Sequence, residues 1–116
     1  MQTYRELKVW QKSINLTVEI YKITHKFPKE EIYGLTSQIR RSVAAIPANL
    51  AEGYSRASKK ENYQFVRIAF ASGAELETHL EIAHRINYIE QSQYNELMIK
   101  LHEILRMLNG LMRALR

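Results

Sequence analysis

The stretch QIRRSVAAIPANLAEGYSR, residues 38–56, decides the fold because a proline interrupts an otherwise helical pattern. Apolar residues recur at helical spacing on one face around it: Ile32, Leu35, Ile39, Val43, Ile46, Leu50 and Tyr54. The stripe keeps the same helical phase before and after Pro47. If the helix ended at the proline, Leu50 and Tyr54 would have no reason to stay in phase with the residues before it. Proline removes the backbone hydrogen bond to Val43, at a cost of about 3 kcal/mol. We predict one helix, bent at Pro47 and ending near Gly53, in which the Asn49 amide helps to satisfy the Val43 carbonyl.

The segments on both sides of this helix also show helical periodicity, and none alternates polar and apolar residues as a strand does. Phe27-Pro28 ends the first helix, since a residue before proline avoids helical geometry. Ser58 and Glu61 form a capping box, and Ser92 is a candidate N-cap. We predict helices over about residues 4–26, 30–54, 58–89 and 92–115. The fold class is all-α: one domain over residues 1–116, an antiparallel up-down-up-down four-helix bundle.

The first and third helices carry more apolar residues than one core-facing stripe needs. We assign Leu7, Trp10, Ile14, Val18 and Tyr21 of the first helix to the core. In the third helix we assign Phe65, Ile68, Ala69, Ser72, Leu76, His79, Leu80, Ala83 and Ile86. The surplus residues are Val9, Leu16, Ile20, Ile23, Tyr63, Val66 and Phe70, with Tyr88. Since large exposed apolar patches mark interfaces, we predict that these residues form a surface for self-association. The alternative is a wide core that wraps around the helix.

Composition and charge narrow the class of partner. The chain has 116 residues, no cysteine and a net charge of +5. It shows no signal peptide and no membrane-length apolar run, so we expect a cytoplasmic protein with no membrane partner. Basic residues around the second and third helices, with Tyr54 and Tyr63 nearby, are candidates for binding RNA or DNA. They are Arg40, Arg41, Arg56, Lys59, Lys60 and Arg67. An ordinary solvated basic surface is the alternative.

The sequence offers little that points to catalysis. Glu81 and His84 form one E-x-x-H motif, whereas di-iron bundles use two such motifs on separate helices. His79 lies one helical turn after Glu75. The two residues are either a buried acid–base pair, or His79 is a structural histidine that the carboxylate orients. There is no nucleophile–base arrangement and no glycine-rich phosphate loop. We therefore predict no catalytic residue, no metal and no cofactor. A metal-dependent or hydrolytic enzyme is an alternative that rests on the E-x-x-H motif alone.

Four runs of sequence resemble the four-helix bundle proteins encoded in intervening sequences of bacterial 23S ribosomal RNA genes. They are LKVWQKS (7–13), FPKEE (27–31), GLTSQIRRSVAAIPANLAEGYSR (34–56) and SGAELETHLEIA (72–83). The resemblance implies a left-handed bundle that assembles into a homo-oligomeric ring, a pentamer, and the genomic setting suggests RNA association. It brings no catalytic residues. Where relatives often have an arginine-containing stretch, this chain has IAFASGAELE with Phe70, so that face lacks a positive charge.

The fold is also similar to the accessory protein of diversity-generating retroelements, which binds nucleic acid and works with a reverse transcriptase. Two hypotheses follow. The first is a non-enzymatic homo-oligomer that associates with RNA through a basic surface. The second is a protein-interaction module or accessory subunit, for example a partner of a reverse transcriptase.

Overall fold

The computed structural model describes residues 3–116, which form four α-helices and no strand. The helices are α1 (Lys8–Thr24), α2 (Leu35–Tyr54), α3 (Lys59–Arg85) and α4 (Gln91–Leu115). Short 3₁₀ turns, Tyr4–Glu6 and Lys29–Glu31, precede α1 and α2. The predicted all-α class is confirmed. The predicted domain over 1–116 includes Met1 and Gln2, which lie outside the described residues.

Contacts between neighbouring helices run in opposite directions along the chain. On α1 and α2, Thr17 contacts Val43 while the later Thr24 contacts the earlier Arg40. The same reversal is seen for α3 with α4 (Glu77–His102, Glu81–Tyr94) and for α1 with α4 (Lys12–Glu103, Glu19–Lys100). Each helix packs on the next, and α1 packs on α4. The start of α1, the end of α2, the start of α3 and the end of α4 therefore share one end of a bundle 43 Å long.

The core lies along the axis of the bundle and takes large side chains from all four helices. Its fully buried members include Leu16, Ile20, Ile39, Val43, Ile46, Leu50, Leu76, Leu80, Leu97, Leu101, Ile104 and Leu108. The stripe predicted for α2 is confirmed from Ile39 to Leu50. Ile32, in contrast, precedes the helix and is 49% exposed.

The predicted orientation of α1 is wrong in part, because the core takes the face that was assigned to an interface, while only Leu7 and Trp10 of the predicted core stripe pack against it. Val9, Leu16 and Ile20, assigned to an interface, are buried in the core, and Ile23 packs against it. Val18 and Tyr21, assigned to the core, are 50% and 43% exposed. The core face also contains Ser13 and Thr24. Their hydroxyls donate to the carbonyls of Trp10 (2.8 Å) and Ile20 (2.7 Å) in the same helix, so burial leaves neither unsatisfied.

The predicted core stripe of α3 is confirmed at Ala69, Leu76, Leu80 and Ala83, which are buried. The buried face is wider than predicted, since Val66 is also fully buried, whereas Ile68 and Ile86, expected inside, are 45% and 47% exposed. The assignment of Val9, Leu16, Ile20 and Val66 to a self-association surface is wrong, because these residues are in the core. The other surplus residues pack against the core and are partly buried: Ile23, Tyr63, Phe70 and Tyr88.

Helix α2 continues through Pro47, as predicted, while the bend itself stays a prediction. The Val43 carbonyl, which loses its helical partner at Pro47, accepts the Thr17 hydroxyl of α1 at 3.3 Å. The predicted role of Asn49 is wrong. Its amide donates to Ala45, the carbonyl four residues earlier, at 2.8 Å, because a helical side chain reaches back over the preceding turn.

Local signals set the ends of α3. Ser58 accepts the Glu61 N–H at 3.1 Å, which confirms the predicted cap. The other end comes earlier than predicted because Asn87 adopts a left-handed φ of 68°. The Tyr88 N–H then reaches the Ala83 carbonyl at 2.9 Å, which is a Schellman motif. Helix α4 begins at Gln91 with Glu90 as its N-cap, so Ser92 is not the cap.

Candidate nucleic-acid interface

The structure divides the basic residues selected from the sequence into two groups. Arg40 and Arg41 lie in the first half of α2, and Arg56 follows its end. With a rise of 1.5 Å per residue, roughly 24 Å of helix separates Arg40 from Arg56. Lys59, Lys60 and Arg67 lie with Arg56 at the α2–α3 connection and the start of α3. The six residues therefore do not form one surface.

Arg40 links α1 to α2 rather than extending into solvent. Its Nε donates to the Thr24 hydroxyl at 2.9 Å, and its Nη2 donates to the Tyr21 carbonyl at 3.3 Å. Its guanidinium also lies 4.8 Å from the centre of the Tyr21 ring. These contacts hold Arg40 at the opposite end of the bundle from Arg56.

At the end of the bundle that contains the α2–α3 connection, Arg56 and Arg67 have partners, whereas Lys59 and Lys60 do not. Arg56 pairs with Glu52 at 2.8 Å and lies over the Phe65 ring. Arg67 donates to the Gln64 amide oxygen at 3.0 Å. Lys59 and Lys60 are exposed and make no hydrogen bond or ion pair within residues 3–116. A cation in the first turn of a helix is disfavoured by the helix dipole, so the stability of α3 does not explain these two lysines.

Folding adds further basic residues to this end, which sequence inspection missed. The start of α1 brings Arg5 and Lys8, and the end of α4 brings Arg113 and Arg116. Arg106 is not at this end, because the adjacent Leu105 lies beside Gly73, in the middle of α3. We call this surface the basic end, defined by Arg5, Lys8, Arg56, Lys59, Lys60, Arg67, Arg113 and Arg116. Five of the eight make no ion pair, side-chain hydrogen bond or cation–π contact in the described part of the chain: Lys8, Lys59, Lys60, Arg113 and Arg116.

The basic end holds the whole net charge of the chain. Over residues 4–11, 52–67 and 113–116, eight Lys and Arg face three Glu. The rest of the sequence carries nine Lys and Arg against nine Glu. One end of the bundle is thus strongly positive while the remainder is neutral. Such an uneven distribution is the electrostatic feature that attracts a polyanion.

Aromatic stacking contributes less to this surface than the sequence suggests. Tyr54 and Tyr63 both pack against the core. Burial raises the pKa of the Tyr54 phenol above its ordinary value, which keeps it neutral. The surface is therefore suited to contacts with phosphates rather than with bases.

Comparison with known proteins places this fold in a family. The family model described as 23S rRNA-intervening sequence protein matches residues 5–110. The chain belongs to the 23S rRNA-intervening sequence protein family. It is also similar to a solved structure, a protein of unknown function from the S23 ribosomal protein family of Bacteroides thetaiotaomicron. The two share 26% identity with a TM-score of 0.83, over 90% of this chain and 95% of that one. No curated protein matches.

In this member of the 23S rRNA-intervening sequence protein family, the residues of the E-x-x-H motif have partners in the bundle. Glu81 accepts the Tyr94 hydroxyl at 2.5 Å and Arg85 Nε at 2.7 Å, and these bonds lower the pKa of its carboxyl. The bond to Glu81 raises the pKa of Tyr94 to about 12. The His84 ring stacks on Tyr94 at 4.2 Å. Among residues 3–116, no three His, Cys, Asp or Glu side chains come together as a metal site.

His79, the other candidate for acid–base chemistry, lies 3.5 Å from Glu75 through its Nε2. Its Nδ1 is buried and has no hydrogen-bond partner in the described residues. No serine, threonine or tyrosine hydroxyl of the described chain bonds to this pair, so it forms no nucleophile–base arrangement.

No helix of the described chain has the length and apolar character needed to cross a membrane.

A second surface of this family member is apolar and lies between α1 and α2. Trp10 and Ile14 of α1 line a groove of about 310 Å³ with Ala44, Ala48 and Ala51 of α2. The exposed side chains of Val18 and Tyr21 extend this apolar surface along α1. We call these seven residues the outer stripe. Four of its residues, Trp10, Ile14, Val18 and Tyr21, were predicted for the core of α1.

Proposed function

We propose that this protein binds RNA through the phosphates that contact its basic end, as a binding protein rather than an enzyme. The observation that carries the proposal is the charge distribution: the basic end has five Lys and Arg without a partner in the described chain. Phosphate contacts by Lys and Arg supply most of the affinity of sequence-independent binding. The family description, 23S rRNA-intervening sequence protein, supports RNA as the polyanion.

The salt dependence of binding tests this function. Each phosphate contact to a single strand adds about −0.7 to the slope of log K against log salt. If four or five of the unpaired cations engage phosphates, we expect a slope of about −3 to −3.5 for a uridine oligonucleotide of about 20 residues. Fluorescence anisotropy from about 0.05 to 0.3 M salt measures it. No binding at the lowest salt, or binding that salt does not change, would contradict the proposal.

We also propose that the protein self-associates through the outer stripe, forming the five-membered ring that the sequence resemblance implies. Val18, Tyr21 and the groove beside Ala48 form a continuous apolar surface that the described monomer leaves uncovered. Contiguous exposed apolar surface of this kind is typical of protein interfaces. The small side chains of α2 leave room for a close approach by another helix.

Two substitutions on the outer stripe test the self-association. Val18→Glu with Ala48→Glu places two carboxylates on exposed positions of the stripe, so the monomer is expected to fold. We expect the association constant to fall at least about tenfold, because charges buried in an interface without partners are costly. Light scattering gives the mass. Ile99→Glu is the control, since Ile99 is 71% exposed and lies on α4, away from the stripe. A wild-type mass of one chain at micromolar concentration would refute the proposal.

A further inference from the structure

A cavity of about 380 Å³ lies beside the α1–α2 connection, at the end of the bundle opposite the basic end. Its walls include Phe27, Pro28, Lys29, Ile32, Thr36 and Arg40. We propose that it is a binding site for a small organic anion: a carboxylate or phosphate group attached to an apolar body. This site goes beyond the proposed RNA binding and does not depend on it.

The first argument is that Arg40 has no counter-ion. The side chain is half-buried, yet no carboxylate lies within 4.0 Å of it among residues 3–116. Of its five N–H groups, one on Nε and one on Nη2 have acceptors, the Thr24 hydroxyl and the Tyr21 carbonyl. The Tyr21 carbonyl belongs to the last turn of α1, whose dipole offsets only part of a unit charge. Three N–H donors remain on a guanidinium that is already held in place.

The second argument is the hydroxyl of Thr36. The residue as a whole is only 2% exposed, and its hydroxyl makes no hydrogen bond among the described residues. It is not one of the fully buried side-chain atoms that lack a partner, which are Asn62 Oδ1 and His79 Nδ1, so it keeps access to the space beside it. Thr36 lies on the cavity wall together with Arg40. The two side chains therefore present unused hydrogen-bond donors to the same space.

The charge around the cavity favours an anion. Lys29 and His25, both exposed, also line it, and no acidic residue does. Glu31, the nearby acid of the connection, is already occupied. Its Oε1 accepts the Leu35 N–H at 3.1 Å, and its Oε2 accepts the Tyr88 hydroxyl at 3.0 Å. Nothing negative thus competes with an incoming carboxylate or phosphate at Arg40.

The remaining walls indicate what else the ligand carries. Phe27, Pro28 and Ile32 contribute apolar surface beside the polar groups. Ligand pockets commonly have volumes of about 300–1,000 Å³ and combine apolar walls with a few polar groups that fix orientation. A free inorganic anion would leave the apolar walls in contact with water. The match is an anion with an aromatic or aliphatic body.

Nuclear magnetic resonance titration with phenyl phosphate, benzoate and inorganic phosphate tests the site. We expect phenyl phosphate or benzoate to shift the Arg40 Nε–H and Thr36 amide signals with an affinity on the order of millimolar. Inorganic phosphate should bind at least about tenfold more weakly because it has no apolar body. If phenyl phosphate binds more tightly than benzoate, the preferred head group is a phosphate; if benzoate binds more tightly, it is a carboxylate. Equal affinity for inorganic phosphate, or shifts spread over all exposed lysines, would overturn the proposal.

Two variants and a control locate the binding. Arg40→Gln should weaken binding at least about tenfold, whereas Arg41→Gln, which removes an exposed neighbour, should leave it unchanged. Thr36→Val should weaken binding severalfold with little change in the melting temperature, since the hydroxyl makes no hydrogen bond within the described chain that could be lost. This variant decides the matter if Arg40→Gln does not fold. Binding unchanged in Thr36→Val, or lost equally in Arg41→Gln, would refute the site. RNA binding should be unaffected by Thr36→Val.

Discussion

Replacing Lys59, Lys60, Arg113 and Arg116 together with glutamine is expected to lower RNA affinity by roughly 10²–10³-fold at about 0.1 M salt. All four side chains are exposed at the basic end, and none has a partner in the described chain. Each lost phosphate contact reduces affinity about fivefold at this salt concentration and removes about 0.7 from the salt slope. Helical propensity changes little, because Gln ranks close to Lys and Arg. Anisotropy titrations with the same oligonucleotide measure both quantities.

The matched control removes four charges from the other end of the bundle. Lys22, Lys26, Lys29 and Arg41 are also exposed, and glutamine at these positions gives the same change in net charge. We expect this variant to lose less than about tenfold in affinity, through the long-range field alone. Equal losses in the two variants would show that binding follows total charge and not the basic end.

Gly53→Ala is expected to lower the free energy of unfolding by about 1–3 kcal/mol. A Cβ at this position would lie 2.6 Å from Asn62 Oδ1 and 2.8 Å from Phe65 Cβ on α3. The Phe65 Cβ is fixed to the α3 backbone, so the two helices would have to move apart. The gain in helical propensity, about 1 kcal/mol, is not expected to offset this clash. Urea denaturation followed by circular dichroism measures the change.

Gly110→Ala provides the control for the helical contribution. Gly110 lies within α4, and a Cβ there would meet nothing within 4 Å. We expect this variant to be more stable than the wild type by about 0.5–1 kcal/mol, because alanine is the better helix former. If both substitutions stabilise the protein, the contact between α2 and α3 is less close than the structure indicates.

The comparison of α2 with α1 shows how far helical periodicity predicts packing. Helix α2 has one apolar stripe, so its buried face could be predicted across Pro47. Helix α1 has two, and the prediction assigned the stripe that contains Trp10 to the core. The face that is buried includes Ser13 and Thr24, because a helical hydroxyl can bond to its own backbone and then be buried at little cost. Which of two apolar faces is inside depends on the neighbouring helices, which periodicity does not include.

The candidate site was predictable only in part, for a related reason. The lysines and arginines around the α2–α3 connection stand close together in the sequence. Arg5, Lys8, Arg113 and Arg116 stand about 50 residues from that connection and join it only through the antiparallel arrangement. Arg40 and Arg41 are near Arg56 in sequence but lie at the far end of α2. The distribution of charge along an antiparallel bundle follows the ends of its helices rather than the order of its residues.

The most direct test of the basic end as an RNA-binding surface is a map of amide shifts when the uridine oligonucleotide is titrated into the wild-type protein. The shifts are predicted to concentrate in residues 4–8, 55–67 and 113–116, three segments that are adjacent only in the folded bundle. Shifts centred on residues 22–41, at the opposite end, would contradict this account.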